Sequence, residues 1–448
     1  MPQSQHIGEY FSIIAKLILK EFVKGTMHSQ IKKLLLVLFL IVNISISAKI
    51  NSSGEQISLF NYEVVTAADA LYIPAVQNYG RLVSIAENTQ QMNYFFEALK
   101  NIKKKSVRIA HYGDSLILGD MITDYIREKF QQKYGGQGVG FLNIVSDDFR
   151  MRMTTIHKYS DDWEYISFLT RNPKQIPVGI SGAVAIPKAG SWVSYEANPI
   201  HKSCSAFNLI KIYYTNADKS STIQYSIDDS GMNKVTLESG TNVQVLEIKA
   251  KGNSKKFYMQ FLSGTTPSIF GVSLENVNGG IYVDNFPMRG NSGASLADIS
   301  DNLLKDFNKN LHYDLIILSY GANVSTPNRV FTVYENKMVH VLEQYKKAFP
   351  ETSFLLISTS DRTQKIGSRF VTNPDFVALL DAQKRIAKKS NIAFWDLSET
   401  MGGPNSMDSW VNASPPLALK DYTHFTPLGG QKVATFLFDA LMELAAKF

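Results

Sequence analysis

At 448 residues the chain is long for one ordinary domain, so two are expected, and its 44% apolar residues are ample for a buried core. The net charge of +6 is thinly spread, in clusters such as Lys103 to Lys105 and Lys255-Lys256, without the basic tracts interleaved with aromatics that nucleic-acid binding needs. Cys204 is the sole cysteine, which excludes an intramolecular disulfide and a cysteine-based zinc site; the eight histidines show neither HExxH nor closely paired spacing, so no metal or other cofactor is expected.

In chain order, Lys32-Lys33 precede the apolar run Leu34 to Ile46, which ends in Ser47-Ala48-Lys49. A basic flank, a short apolar run and a small-residue exit predict a secretory signal, with Met27 as the start and residues 1–48 as upstream segment plus signal peptide. The run is short for a bilayer span; an uncleaved membrane anchor is the alternative. No cysteine follows it for lipid attachment. The expected location is secreted, without stable membrane association once the signal is cleaved. Residues 51–88 carry no clear pattern. Met92, Phe95, Phe96 and Leu99 then recur at helical spacing, leading into the β-run Val107 to Gly113.

That β-run breaks abruptly at Gly113-Asp114-Ser115. A small residue at Gly113 permits a sharp turn, and Leu116, Ile117, Met121, Ile122 and Tyr125 give the next segment an apolar helical face, ending near Gly135-Gly136. Ser115 therefore stands at the carboxyl end of a strand, where open α/β sheets place their sites. Asp114 and Ser115 acting only as helix caps is the plainer alternative. From Gly138 to about Asp162 the sequence reads as loop.

Short β-prone runs follow, among them SWVSYEA, FNLIKIYYT, KFYMQFLS and SIFGVSLENV, separated by turn residues and with no helical pattern between them. They predict an antiparallel sandwich of roughly 120 residues over 165–283. Trp192, Tyr195, Tyr213 and Tyr214 in these strands are expected in its core, with stacking on sugars as the alternative. Afterwards strands and helices alternate again: GIYVDNF, a helix near Leu296 to Asn308, DLIILSYG, a helix over Val333 to Ala348, SFLLIST, a helix over Asp375 to Ser390, IAFWDLS, and a last helix from Gly429 to Lys447. With VRIAHYG, these make a five-stranded parallel sheet covered on both faces, built from residues 49–164 and 284–448 around the insertion. The insert is expected to form a separate lobe beside the carboxyl ends of the sheet's strands.

Three further blocks bear on chemistry. Asp421-Tyr422-Thr423-His424 lets one turn hold a carboxylate against one imidazole nitrogen while the other points away, as a general base beside a serine requires. Asn323 follows the strand DLIILSYG and can donate its amide to a developing oxyanion; Gly293 follows GIYVDNF and offers a bare N–H. Each has a plain structural alternative as surface pair, helix cap or turn glycine.

Together the blocks resemble the SGNH, or GDSL-type, hydrolases: Ser115 in GDS, Gly293, Asn323 in GAN, and Asp421 with His424 in DxxH, in the family's order. The resemblance implies a three-layer α/β/α fold and ester hydrolysis through an acyl-serine without a metal. Ser115 would be nucleophile and backbone donor, Gly293 and Asn323 the other oxyanion donors, His424 the base and Asp421 its orienter. The third block usually continues with an acidic residue, whereas here Val324 follows Asn323, so no acidic neighbour acts there. HYGDS, the inserted sandwich, GVSLENVNGGIYVDNFPMRGNSGAS, and MGG with a later tryptophan before KDYTHFTPLGG are similar to the periplasmic peptidoglycan O-acetylesterases, which carry an insert resembling a carbohydrate-binding module. This implies an O-acetylated glycan, O-acetylated muramic acid of peptidoglycan, as substrate. Acetyl transfer to a sugar hydroxyl, action on another polysaccharide such as xylan, and glycan binding on an inactive scaffold are the alternatives.

Overall fold

The five β-runs form one sheet in which every neighbouring pair is parallel. Its strands are β1 (Val107–Gly113), β2 (Ile281–Pro287), β3 (Leu315–Ser319), β4 (Ser353–Ile357) and β5 (Ala393–Trp395), arranged in the order β2-β1-β3-β4-β5. The computed structural model describes residues 79–448 apart from 147, 149, 229, 325–329 and 368; the signal segment and Met27 lie outside the described residues. No helix among the described residues is long and apolar enough to cross a membrane.

Period-two alternation sorts the strand side chains into two layers. Val107, Ile109, Val283, Ile317 and Leu355 face a core built with helices α1 (Asn93–Lys100), α2 (Thr123–Tyr134) and α6 (Pro427–Ala445). On the other face, Ala110, Tyr112, Phe286, Leu318 and Leu356 pack with α3 (Asp301–Leu311), α4 (Thr332–Ala348) and α5 (Asp375–Lys389). Thr426 starts α6 by accepting from the Gly429 N–H, with Pro427 in the first turn where its missing donor costs nothing.

The insertion is two antiparallel sheets, but its strands begin earlier than the sequence pattern indicates. Gly140–Leu142 pairs with Ser268–Glu275, and Thr155–Tyr159 pairs with Trp192–Ala197, so the stretch read as loop supplies strands to both sheets. Three residues and five residues are too short to show periodicity on their own; their partners define them.

The insert is not a separate lobe. One of its sheets is buried on both faces: Ile210, Ile212 and Tyr214 point into the sandwich core, while Tyr213 and Phe270 join the core on one face of the parallel sheet. Phe270 meets Phe307 of α3 edge-on at 5.2 Å, and all positions of Ser268–Glu275 are buried. Tyr195, Tyr213 and Tyr214 are core residues, which overturns their use as a sugar platform; Trp192 is half-buried and stacks on Tyr258.

A buried ion cluster crosses the same junction. Arg108 of β1 donates from Nε and Nη2 to the Asp284 carboxylate of β2 (2.6 and 3.0 Å), and from Nη1 to Glu275 Oε1 of the insert (2.6 Å). Asp284 also accepts from the Phe141 N–H and the Tyr313 hydroxyl. Because sandwich and sheet share one core, Phe270→Ala should destabilise the whole protein by about 3–5 kcal/mol, seen as a single earlier urea transition by circular dichroism. A loss below about 1 kcal/mol would mean the insert seats loosely on α3.

Candidate active site

The site lies where β1, β2 and β3 end. Gly113 closes β1, and its role is space rather than unusual dihedrals: a Cβ there would stand 2.9 Å from the Ser319 carbonyl and from the Ile117 side chain. Asp114 then turns the chain, and Ser115 opens a 3₁₀ turn, Ser115–Asp120, kinked at Leu118 and Gly119, so that α2 proper starts only at Thr123.

Ser115 and His424 come together as the sequence indicates. His424 Nε2 lies 2.8 Å from Ser115 Oγ, and His424 Nδ1 lies 2.7 Å from Asp421 Oδ2. A carboxylate only accepts, so Nδ1 carries the proton and Nε2 is left to accept from the serine hydroxyl. Burial works to raise the Asp421 pKa, but the His424 N–H, the imidazole and the Thr423 N–H outweigh it and hold the carboxylate below its ordinary range. The turn is braced from outside: Leu419 N–H donates to the His424 carbonyl, Phe425 packs on buried Trp410, and Phe370 stacks on Tyr422 with centroids 3.7 Å apart.

The oxyanion candidates are held together by one residue that sequence reasoning passed over. The Gly293 N–H donates to Asn291 Oδ1 (2.7 Å), and Asn323 Nδ2 donates to the Asn291 carbonyl (3.3 Å). An arriving oxyanion would have to take the Gly293 N–H from that side chain. Gly293 has φ +91°, and a Cβ there would press within 3.0 Å or less of Tyr320 and the Met338 sulfur, so both backbone and space require glycine.

Asp114 is the second residue whose part was missed. It does cap the following turn, accepting from the Leu116 N–H at 3.1 Å, but its other oxygen accepts from the Ala322 N–H, also at 3.1 Å. One fully buried carboxylate thus ties the turn carrying Ser115 to the turn carrying Asn323. The only sequence signal was the cap itself, because the partner lies on a distant strand. Val324, in the place of the family's acidic residue, is buried and its carbonyl accepts from Arg362. No cluster of metal-ligating side chains occurs among the described residues.

This three-layer parallel sheet, interrupted by a β-insert and carrying a serine, an imidazole and a carboxylate at the ends of its strands, is the fold that the resemblance to the SGNH hydrolases implies. Among solved structures it is similar to one described as a peptidoglycan O-acetylesterase in action, with a TM-score of 0.68 and 21% identity, covering 81% of this chain and 99% of that one. Weaker matches include a family two carbohydrate esterase from Cellvibrio japonicus (TM-score 0.26, 11% identity, 65% of this chain and 98% of that one) and an acetyl xylan esterase (TM-score 0.27, 16% identity, 36% and 81%). Those two scores fall below the level that marks a shared fold. No protein-family model and no curated protein matches the sequence.

If Ser115 and His424 act as one unit, Ser115→Ala and His424→Ala each remove nearly all turnover and the double variant is little worse, whereas Asp421→Asn is milder. Losses that multiply in steady-state kinetics would contradict the pairing. Burial, only partly offset by the Leu116 and Ala322 amides, raises the Asp114 pKa from 3.8 to about 6. A raised acid favours the folded state while protonated; that contribution is complete below pH 3.8 and lost as pH rises through about 6. Between pH 4 and 6.5, wild-type stability should therefore fall relative to Asp114→Asn by on the order of 2 kcal/mol in urea titrations. Parallel pH profiles for the two proteins would refute the shift.

Proposed function

We propose that the protein is a serine esterase that removes O-acetyl groups from a glycan, with O-acetylated muramic acid of peptidoglycan as the substrate. The observation that carries this reading is the unbroken chain from Ser115 Oγ through His424 to Asp421, at 2.8 and 2.7 Å. Support for the acetylated glycan comes from the fold, since the structure matched over 81% of this chain is described as a peptidoglycan O-acetylesterase. The apolar run Leu34 to Ile46 supports export to the compartment where peptidoglycan lies.

The chemistry follows from which atoms face each other. Ser115 Oγ attacks the acetyl carbonyl as His424 Nε2 takes its proton, and Asp421 steadies the imidazolium through Nδ1–H. The carbonyl oxygen gains charge, which the N–H groups of Ser115 and Gly293 and the Asn323 amide would receive; each such donor is worth roughly 10²–10³ in rate. His424 returns the proton to the departing sugar oxygen, leaving acetyl-serine. Water, deprotonated by the same imidazole, releases acetate and restores Ser115.

The test is acetate release from O-acetylated peptidoglycan, acetylated xylan and a chromogenic acetate ester, with Ser115→Ala as control. Free acetate from peptidoglycan at the highest kcat/KM is expected. Faster release from xylan would move the substrate, acetate appearing only on a sugar acceptor would make the protein a transferase, and unchanged activity of Ser115→Ala would remove the proposed chemistry.

A further inference from the structure

Beside the nucleophile turn, a cleft of about 50 Å³ opens between the parallel sheet and the insert. Leu118 of the Ser115–Asp120 turn lines it, as does Met288, whose N–H donates to the Gly113 carbonyl (2.8 Å) and which begins the loop reaching Gly293. The opposite wall is insert: Asn143, Phe168 and Ser181. The cleft therefore borders the turn that carries Ser115 but is built from residues that the triad does not use.

Its polarity is unusual. Ser181 is 4% exposed and its hydroxyl has no partner; the Asn143 Oδ1 atom is likewise buried and unsatisfied. Buried polar atoms are nearly always paired, and leaving one unpaired costs free energy, so two on one wall mark a place where something else completes the hydrogen bonds. The charges nearby cancel. Arg152 lines the cleft 3.6 Å from Asp120 and 3.7 Å from Asp148, and Asp120 is in turn bound by Arg127 at 2.7 Å, giving two carboxylates for two guanidiniums. His157 in the wall is buried and pushed down to about 4 by desolvation, so it adds no charge near neutrality. Arg289 is exposed at the rim. With the buried carboxylates matching the buried guanidiniums, a neutral group that also accepts a hydrogen bond suits the cleft, because Arg152 Nη1 is a third buried lining atom without a hydrogen-bond partner. Leu118, Phe168 and Met288 give it an apolar side, and a cleft of this size takes roughly three to five water-sized positions, too few for a sugar ring.

We propose that this cleft seats the acetamido group of an N-acetylated amino sugar, with Asn143 accepting from its N–H, Ser181 donating to its carbonyl and Leu118 and Met288 enclosing its methyl. The proposal rests on the esterase reading and refines it: selection for N-acetylated glycans over xylan or cellulose derivatives resides at the seam between insert and sheet. It gives the insert a function at the active site itself, not only along a distant polymer.

Two substrates that differ only at C2 test this, 6-O-acetylated tri-N-acetylchitotriose and 6-O-acetylated cellotriose. A kcat/KM at least about tenfold higher for the first is expected, and Ser181→Ala or Asn143→Ala should narrow that ratio severalfold with the melting temperature unchanged. Equal kcat/KM for the two esters, or a ratio that neither substitution moves, overturns the subsite. Calorimetry with Ser115→Ala protein reads it without hydrolysis: tri-N-acetylchitotriose should bind more tightly than cellotriose even if neither ester is cleaved, and equal binding overturns the proposal. Failure of cleavage with preserved discrimination in binding would count against the esterase reading alone.

Discussion

The structure depends on a buried guanidinium. Arg108 near the start of β1 is held by Asp284 of β2 and Glu275 of the insert, while Asp284 takes further donors from Phe141 and Tyr313. Taken as net stabilisation, such a cluster is weak, because desolvating the ions offsets most of their attraction. Its force lies in discrimination: any arrangement that leaves one member unpaired in the core is heavily penalised. The cluster therefore fixes the register of β1 against β2, and those two strands deliver Ser115 and Gly293 to the same edge of the sheet.

Downstream of that constraint, the site is a set of turns tied to one another. Asp114 joins the Ser115 turn to the turn at Ala322, and Asn291 joins Gly293 to Asn323. The Asp-x-x-His turn comes from the far end of the chain and is held by packing of Phe425 on Trp410 and of Tyr422 on Phe370. The geometry at Ser115 thus draws on residues scattered from Asp114 to Phe425.

Much of this was legible in the sequence, and the reasons are physical. The strands LIILS, SFLLI and AFW are buried on both faces and read as continuous apolar runs, β1 and β2 keep apolar residues on alternate positions around their buried charges, and each long helix shows its stripe. The triad spoke through local chemistry, a serine at a strand end and a carboxylate three residues before a histidine. What escaped was nonlocal. Gly140–Leu142 and Thr155–Tyr159 are strands only because of their partners, and the shared core of insert and sheet was hidden because Tyr213 and Ile212, adjacent in one apolar run, face different cores. The bridging roles of Asp114 and Asn291 are equally invisible without their partners. Gly113 was recognised as necessary for the turn, but it is needed for the approach of Ser319.

The place of β1 in the sheet has a consequence for how the chain is made. β1 is the first strand of the sheet to be synthesised, yet it pairs with Ile281–Pro287 on one side and Leu315–Ser319 on the other, both encoded beyond the insert. During synthesis its two hydrogen-bonding edges stay open until the whole sandwich has emerged, and the sandwich meanwhile exposes the apolar face meant for α3. The nascent chain thus passes through an interval in which a fully buried strand and the outer face of its insert are both uncovered, and its folding rate carries the slowness of long-range pairing.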